Sequence, residues 1–414
     1  MEYGCIGRKL THSFSKIIHN KLCDYDYELL ELEPQELEKF MTAREFRAIN
    51  VTIPYKQDVI PYLDKISDRA REIGAVNTIV NRDGRLYGYN TDFSGMRALA
   101  DKTGIDFNNK KIAILGSGGT SKTASAVALS GGASEVIRVS RTARDGCIGY
   151  DELYSEHGDT QILINTTPCG MYPNLEGAAA ELDRLPQVLG VLDAVYNPLR
   201  SQLVSHALDS GIPAAGGLYM LVAQAVYAAE KFTGKSFSAN DIDRIFCEIM
   251  LEKENIVLIG MPGCGKSTLG RRIARMLGRE FFDTDELIVK RESMPVTEIF
   301  SRGGEKLFRD IETDVIKELS AGSGFVIATG GGAVLRPENV SALKQNGRLC
   351  FINRPLEKLP ATSDRPLSKD RDKLHALYET RLPIYRSVCD FEIDGSGSIE
   401  TNINLILKEY GFES

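Results

Sequence analysis

The chain has 414 residues, 43% of them hydrophobic and 26% charged, and a formal net charge of −7. That length exceeds one typical domain and suits two or three. The acidic balance argues against a nucleic-acid partner, because no basic stripe is available to neutralise phosphates, whereas a few local Arg and Lys can still hold small anions.

Strand-like and helix-like segments alternate nearly throughout, which implies parallel α/β layers. The opening Met1-Glu2-Tyr3-Gly4 has no signal-peptide pattern. Residues 1–92 read as short βα units with polar ends. Ser13-Phe14-Ser15 follows the first strand, with Thr11 and His12 beside it. Asn50-Val51-Thr52-Ile53-Pro54-Tyr55-Lys56 ends an alternating strand with a lysine at its mouth. Gly74-Ala75-Val76-Asn77-Thr78 and Gly88-Tyr89-Asn90-Thr91-Asp92 follow. Each cluster places amides, hydroxyls or an ion at the carboxyl end of a strand-like run, where open α/β sheets bind ligands.

Residues 93–223 read as a dinucleotide-binding unit of Rossmann type, with strands near 112–115, 136–139, 162–165, 190–193 and 213–215. Between the first of these and a helix over 121–129 lies Gly116-Ser117-Gly118-Gly119-Thr120-Ser121, which reads GxGGxx where the common fingerprint is GxGxxG. The next strand, 135–139, lacks the terminal acid that would bind a ribose 2′-hydroxyl. It runs into Ser140-Arg141-Thr142-Ala143-Arg144, and two arginines suit a 2′-phosphate, so the expected cofactor is NADP(H).

Residues 214–229 form the longest apolar stretch; two glycines and Gln224 interrupt it and it is too short to span a bilayer, so a buried helix is expected and no membrane partner. A helix over about 224–245 is expected to pack back on the first block. Another, near 240–252, leads through Leu251-Glu252-Lys253-Glu254-Asn255 into a third block, 254–414, with no Pro or Gly at the junction, which should hold the two halves near each other.

The third block opens on Ile256-Val257-Leu258-Ile259 and Gly260-Met261-Pro262-Gly263-Cys264-Gly265-Lys266-Ser267, followed by Thr268 and a helix to 277. This is the GxxxxGK[ST] pattern of a P-loop in its strand–loop–helix context. Backbone N–H groups turn inward on phosphate oxygens, Lys266 reaches the β/γ-phosphates, and the Ser267 hydroxyl can ligate Mg²⁺. ATP and Mg²⁺ are therefore expected. Asp283 and Asp285, two apart after a strand, are expected to point the same way. Arg309 sits on a helix, the Gly330-Gly331-Gly332 run follows an apolar strand, and Arg381 begins a late helix. Asp364-Arg365-Pro366-Leu367 lies in a stretch fit for a mobile lid.

Eight cysteines are scattered without a CxxC, as in a reduced cytoplasmic protein, with neither a disulfide framework nor a zinc site expected. Cys264 near a helix start is a small residue that fits its loop; a lowered pKa there is the rarer alternative.

The clusters of residues 3–245, with Asn165-Thr166-Thr167-Pro168-Cys169-Gly170-Met171, Asp193-Ala194-Val195-Tyr196-Asn197-Pro198 and Gly216-Gly217-Leu218-Tyr219-Met220-Leu221-Val222-Ala223-Gln224, resemble shikimate dehydrogenase. The resemblance implies that Ser13 and Ser15 bind a ring carboxylate, that Thr52, Asn77 and Gln224 bind its hydroxyls with Tyr196 also at the substrate, and that Gly116, Gly118, Gly119, Ser140, Arg141, Thr142, Arg144 and Gly217 hold NADP(H). Lys56 and Asp92 then stand at the reacting carbon, where the lysine gives a proton to the oxygen that gains charge. Either residue alone would be read as a surface ion pair of little worth. Serine at 15 resembles the shikimate-using branch. The family's usual Pro-Ile before the His-Ser pair, and Pro after the second serine, are here Lys9-Leu10 and Lys16.

Residues 254–414 are similar to shikimate kinase. By that resemblance Asp285, Arg309, Gly330, Gly331, Gly332 and Arg381 hold shikimate, and Ser267 with Asp283 holds Mg²⁺. Gly260, Gly263, Cys264, Gly265, Lys266, Ser267 and Thr268 cradle ATP, while Lys266 and Arg365 neutralise the transferring phosphoryl group. Lys358 stands where an arginine stacking on adenine is expected. The expected fold is α/β throughout: a substrate domain (1–92), a Rossmann-type domain (93–223) and a P-loop domain of nucleoside-monophosphate-kinase type (254–414). The expected protein is a cytoplasmic bifunctional enzyme acting on 3-dehydroshikimate and shikimate. The alternatives are a quinate/shikimate dehydrogenase with a regulatory NTP-binding module and an NTP-dependent switch sensing NADPH. Asp285 with Arg309 and Arg381, an acceptor-holding set, is what a switch does not need.

Overall fold

The computed structural model describes residues 1–10, 13–143, 146–359 and 371–412, the side chains of 371 and 373 apart. The chain divides into two compact units, Met1–Ile249 and Met250–Ser414.

The first unit opens with β1 (Tyr3–Gly7), α1 (Ser15–Leu22), β2 (Tyr27–Glu31), α2 (Pro34–Ala43), β3 (Ala48–Val51), β4 (Lys65–Ile66), α3 (Asp68–Ile73), β5 (Thr78–Arg82), β6 (Arg85–Tyr89) and α4 (Asp92–Thr103). Its six strands lie in the order β2-β1-β3-β5-β6-β4. Ile6, Ile49, Ile79 and Leu86 form the core of this sheet. The expectation of parallel layers fails here. β5 runs antiparallel to both β3 and β6. The cause is local: Asp83 (φ 52°) and Gly84 (φ 80°) are both left-handed, the two-residue turn whose twist suits a tight hairpin, for which Asp-Gly is a preferred pair.

A second sheet follows, from β7 (Lys111–Leu115), α5 (Gly119–Ser130), β8 (Glu135–Val139), β9 (Cys147–Ile148), α6 (Tyr150–Glu156), β10 (Ile162–Asn165), β11 (Gly190–Asp193), α7 (Gln202–Asp209) and β12 (Ala214–Ala215). The order is β12-β11-β10-β7-β8-β9, every pair parallel. That is the doubly wound dinucleotide order, with its crevice between the carboxyl ends of β7 and β10. The strands are near-continuous apolar runs because helices cover both faces. Of the apolar stretch 214–229, the first two residues are strand; Gly216-Gly217 turns the chain and α8 (Leu218–Thr233) begins after them. The helix expected over about 224–245 is two: α8, which packs on α4 and α1, is capped by Gly234 in a left-handed conformation, and α9 (Ala239–Lys253) carries the chain onward.

The second unit contains β13 (Asn255–Ile259), α10 (Lys266–Leu277), β14 (Phe281–Asp283), α11 (Thr284–Glu292), α12 (Val296–Ser320, interrupted at Gly304), β15 (Val326–Ala328), α13 (Pro337–Asn346), β16 (Gly347–Asn353), α14 (Arg371–Val388), β17 (Phe391–Asp394) and α15 (Ile399–Glu409). The sheet is parallel in the order β14-β15-β13-β16-β17, around Val257, Ile327, Leu349 and Phe351.

Two local expectations are corrected. Asp283 is the N-cap of α11, its carboxylate accepting from the Asp285 and Glu286 amides, so Asp283 and Asp285 are not alternate residues of one strand. A carboxylate satisfying orphan helix donors ends the strand at that point. Arg381 does not begin a helix: α14 starts ten residues earlier and runs through Pro383. Proline normally breaks a helix interior at about 3 kcal/mol, but Tyr385 beyond it stacks on Phe351 at 5.0 Å and hydrogen-bonds the Gly331 carbonyl, which anchors the turn.

The α4–α8 contact tests the packing argument. A methyl at Gly95 would lie 2.7 Å from the Met220 carbonyl oxygen and 2.9 Å from the Gln224 Cβ. Helix propensity favours Ala over Gly by about 1 kcal/mol, whereas overpacking against backbone costs about 1–3 kcal/mol. Gly95→Ala is therefore expected to lower the unfolding midpoint of the first unit by several degrees and leave the second unit's transition in place, read by calorimetry.

Candidate functional sites

In the first unit a cavity of about 180 Å³ opens at the carboxyl ends of the strands, lined by Ser15, Thr52, Lys56, Asn77, Asp92, Tyr196, Gly217 and Gln224 among others. Asp92 is the first residue of α4, where the helix macrodipole favours a negative charge. Lys56 Nζ donates to Asp92 Oδ2 at 2.7 Å, with side-chain exposures of 14% and 8%. This is not the solvent-screened pair whose contribution is about 0–1 kcal/mol.

Amides and hydroxyls surround that pair. Asn77 Oδ1 accepts from the Thr91 amide at 2.7 Å, and its Nδ2 donates to Thr91 Oγ1 at 3.0 Å and to Gln224 Oε1 at 3.2 Å. Gln224 thus joins α8 to the first sheet. Ser13 donates to Ser15 Oγ at 3.1 Å. The Tyr196 hydroxyl is hydrogen-bonded to Ser13, and burial pushes its pKa up to about 12, so it remains a neutral hydroxyl.

On the side of the second sheet, Gly118 precedes α5, and a side chain there would meet nothing within 4 Å. Gly119 comes against Lys56: a methyl on it would lie 3.6 Å from the Lys56 Cβ. The turn after β7, with the amino end of α5 and open space beside Gly118, fits a dinucleotide pyrophosphate. Ser140 hydrogen-bonds the Thr142 carbonyl, and Arg141 and Thr142 are exposed at the end of β8. Arg144, like Thr11 and His12, lies outside the described residues.

In the second unit Gly260 (φ 144°), Gly263 (φ 79°) and Gly265 (φ 105°) take left-handed conformations that side chains avoid. Lys266 does not extend outward: its ammonium donates to the Gly260 and Met261 carbonyls at 2.9 and 3.0 Å. Its loop therefore holds the cation where a phosphate would replace those carbonyls. Ser267 Oγ donates to Asp283 Oδ2 at 2.5 Å, and two oxygen donors brought together in this way fit a hard divalent cation. Cys264 is buried, 3.8 Å from the Lys266 ammonium.

Beside this loop Asp285, Arg309, Arg381 and the glycine run converge. Arg309 is not free: it donates to Glu312 at 2.6 Å and to Glu305 at 3.1 Å. Glu312 is fully buried, and its Oε1 has no hydrogen-bond partner among the described residues. Burial raises its pKa against the opposing pull of Arg309 and Arg381. A methyl at Gly330 would lie 2.7 Å from both that oxygen and Asp285 Oδ1, and one at Gly332 would overlap the Arg309 guanidinium. The glycines are thus the floor on which these charges face each other. Thr284 holds them by accepting the Gly330 amide at 2.8 Å. Arg365 and the rest of the 364–367 segment lie outside the described residues. Lys358 donates to the Ser396 carbonyl at 3.4 Å.

Sequence reasoning assigned no role to Asn50, Thr166, Thr167 or Glu312. Asn50 and the two threonines line the first cavity. Glu312 stands three residues after Arg309 on α12, a spacing at which helical side chains meet, and that was the available signal.

The family model for the shikimate dehydrogenase substrate binding domain matches residues 5–79, and that for shikimate kinase matches residues 262–410. The NADP(+) shikimate dehydrogenase of Clostridium beijerinckii is 38% identical over 243 residues, which are 55% of this chain and 90% of that protein. Among solved structures, shikimate dehydrogenase 1 of Peptoclostridium difficile matches with a TM-score of 0.56 at 32% identity, covering 60% of this chain and 98% of that one. A shikimate dehydrogenase solved in complex with NADP+ matches with a TM-score of 0.52 at 30% identity, over 60% of this chain and 94% of its own.

Proposed function

The chain belongs to the shikimate dehydrogenase family through its first unit and carries a shikimate kinase domain in its second, and from that premise we propose one bifunctional enzyme that catalyses two consecutive reactions. The first reduces 3-dehydroshikimate to shikimate with NADPH; the second phosphorylates the shikimate 3-hydroxyl with MgATP. The observation that carries the reading is the buried Lys56–Asp92 pair, set in a cavity of amides and hydroxyls sized for one small ring. A cytoplasmic setting, where both nucleotides are supplied, fits it.

In the first site Ser13, Ser15 and Tyr196 present hydroxyls to the ring carboxylate, while Thr52, Asn77 and Gln224 take the ring hydroxyls. Gly116, Gly118, Gly119, Arg141 and Gly217 would hold NADPH, which supplies the hydride when bound. Lys56 donates the proton to the C3 oxygen as that oxygen gains charge, and Asp92 keeps the ammonium charged and aimed. Asn77, fixed by Thr91, keeps its amide oriented toward the ring.

In the second site Arg309 and Arg381 take the carboxylate, with Glu312 orienting Arg309. Asp285 accepts from the hydroxyl to be phosphorylated. Ser267 and Asp283 would hold Mg²⁺, which neutralises phosphate charge when bound. Lys266 leaves its own carbonyls for the phosphate oxygens. A purely regulatory NTP module has no use for Asp285, Arg309 and Arg381 gathered beside the P-loop.

Supplied with 3-dehydroshikimate, NADPH and MgATP, the purified chain is expected to release shikimate 3-phosphate; NADPH oxidation without a phosphorylated product would sink the two-step reading. Lys56→Ala should cut reduction by about 10²–10⁴-fold and spare phosphorylation, and Lys266→Ala should do the reverse. Either variant losing both activities while still folded contradicts independent sites. Gly332→Ala should fold, since only the end of a side chain need move, yet raise the KM for shikimate in phosphorylation at least tenfold by displacing Arg309. An unchanged KM would remove Arg309 from the acceptor site.

A further inference from the structure

Asp193, at the carboxyl end of β11, is fully buried and has no lysine or arginine partner among the described residues. Three donors converge on it. Ser201 Oγ reaches Oδ2 at 2.6 Å, and the Asn165 side-chain amide and the Val195 backbone N–H reach Oδ1 at 2.8 and 2.9 Å. Asn165, held in this way, uses its own Oδ1 to accept from the Thr167 amide at 2.9 Å and the Thr167 hydroxyl at 2.7 Å. One carboxylate therefore grips two segments, the turn after β10 and the turn after β11. Those segments supply Thr166, Thr167, Pro168, Ala194, Val195 and Tyr196 to the cavity wall.

A buried carboxylate is costly unless its lone pairs are satisfied; here three donors satisfy it, whereas an asparagine would set its own N–H₂ group against one of them. We propose that Asp193 is a positioning residue for the reduction: its carboxylate, ionised, fixes the Thr167 and Tyr196 turns that form the cofactor-side wall of the substrate cavity. The inference rests on the dehydrogenase reading of this site.

The electrostatics make the positioning separable from folding. Burial lifts the Asp193 pKa from 3.8 to about 6, against the opposing pull of Ser201, Val195 and Asn165 in that order. The groups facing it are Ser201 from the residue before α7, Asn165 from β10, Val195 from its own strand end, and the Cys169 thiol from the turn after β10, with Arg141 beyond that thiol. Because the folded pKa lies above the unfolded value, the native state binds more protons between about pH 4 and 6, so this group adds stability as pH falls. Protonation also removes one acceptor from the three-donor grip. Activity and stability thus respond to Asp193 with opposite signs, which a merely structural residue would not produce.

The test uses the full chain, with phosphorylation of shikimate as the internal control. For wild type, kcat/KM for 3-dehydroshikimate reduction is expected to fall about tenfold per pH unit below pH 6 while the first unit stays folded. Asp193→Asn should lower kcat/KM at pH 7.5 by tenfold or more, abolish that acid limb and leave phosphorylation intact. Ser201→Ala, which removes one donor, should move the limb to higher pH, and it decides the matter if Asp193→Asn does not fold. Hydrogen exchange at the Thr167 and Val195 amides, without any substrate, should quicken at least tenfold in both variants. Such quickening in a chain that reduces nothing would uphold the hold of Asp193 on the two turns but sink the dehydrogenase reading, and with it the role in reduction. Unchanged exchange, a limb at the same pH in both variants, or a wild-type rate that is flat through pH 6 overturns the proposal.

Discussion

Two opposite charges held at 2.7 Å out of water are expensive to assemble. The desolvation of a buried ammonium and carboxylate amounts to several kcal/mol each, and mutual attraction offsets it only when the geometry is fixed and neighbours satisfy the remaining donors and acceptors. Three features from different parts of the first unit bear on the geometry of the Lys56–Asp92 pair. Asp92 begins a helix and gains from its positive end. Asn77 and Thr91 lock the residues just before that helix. Gly119, opening the helix of the second sheet, faces the Lys56 stem, and a methyl on it would lie 3.6 Å from the Lys56 Cβ. The turn after β7 and Lys56 therefore face each other where the two sheets of the unit meet.

The second unit solves a related problem with the opposite distribution of charge. Arg309 and Arg381 gather there against Glu305, Glu312 and Asp285, and the glycine loop after β13 turns Lys266 back on its own carbonyls. Each cation has a stand-in partner. That arrangement keeps the fold from carrying unpaired buried charge, at the cost that an incoming anion must compete for each cation. The unpartnered Glu312 oxygen shows where the compensation is incomplete, and it points at the glycine floor between Asp285 and Arg309.

Much of this was legible in the chain because phosphate loops are local. The strand, glycine turn and helix at 256–277 need nothing distant to be recognised, and five of the six strands of the second sheet declared themselves as apolar runs between turn residues, the two-residue β9 being the one missed. What stayed hidden was set by contacts or by single turns. Asp83-Gly84 reverses the chain within two residues and makes the first sheet mixed, although the pair is itself a hairpin signal. Asp285 was expected to point the same way as Asp283, but the strand ends at Asp283, whose carboxylate caps the helix that contains Asp285. Pro383 concealed the true start of α14, since its anchoring through Tyr385 is tertiary. The cavity-facing roles of Asn50 and Thr167 depend on partners 27 and 28 residues further on, or on partners reached through them. The lone sequence around each carries no trace of that. Arg144 and Arg365, both read from motif alone, lie outside the described residues.

In the proposed reading both sites take a carboxylated, hydroxylated ring, and the difference in how they hold the carboxylate has a consequence for passing it on. The first site offers neutral hydroxyls from Ser13, Ser15 and Tyr196. Such hydroxyls make charge-assisted bonds to a carboxylate but bring no opposite charge, and the cation that lines this cavity among the described residues, Lys56, is already matched by Asp92. The second site offers guanidinium groups, which grip carboxylates more strongly and with fixed geometry. The step from hydroxyls to arginines favours forward transfer to the extent that the ring carboxylate outcompetes Glu305 and Glu312 for Arg309. Tethering the two units in one chain adds only a local concentration to that gradient, so forward flux needs no enclosed passage between the sites.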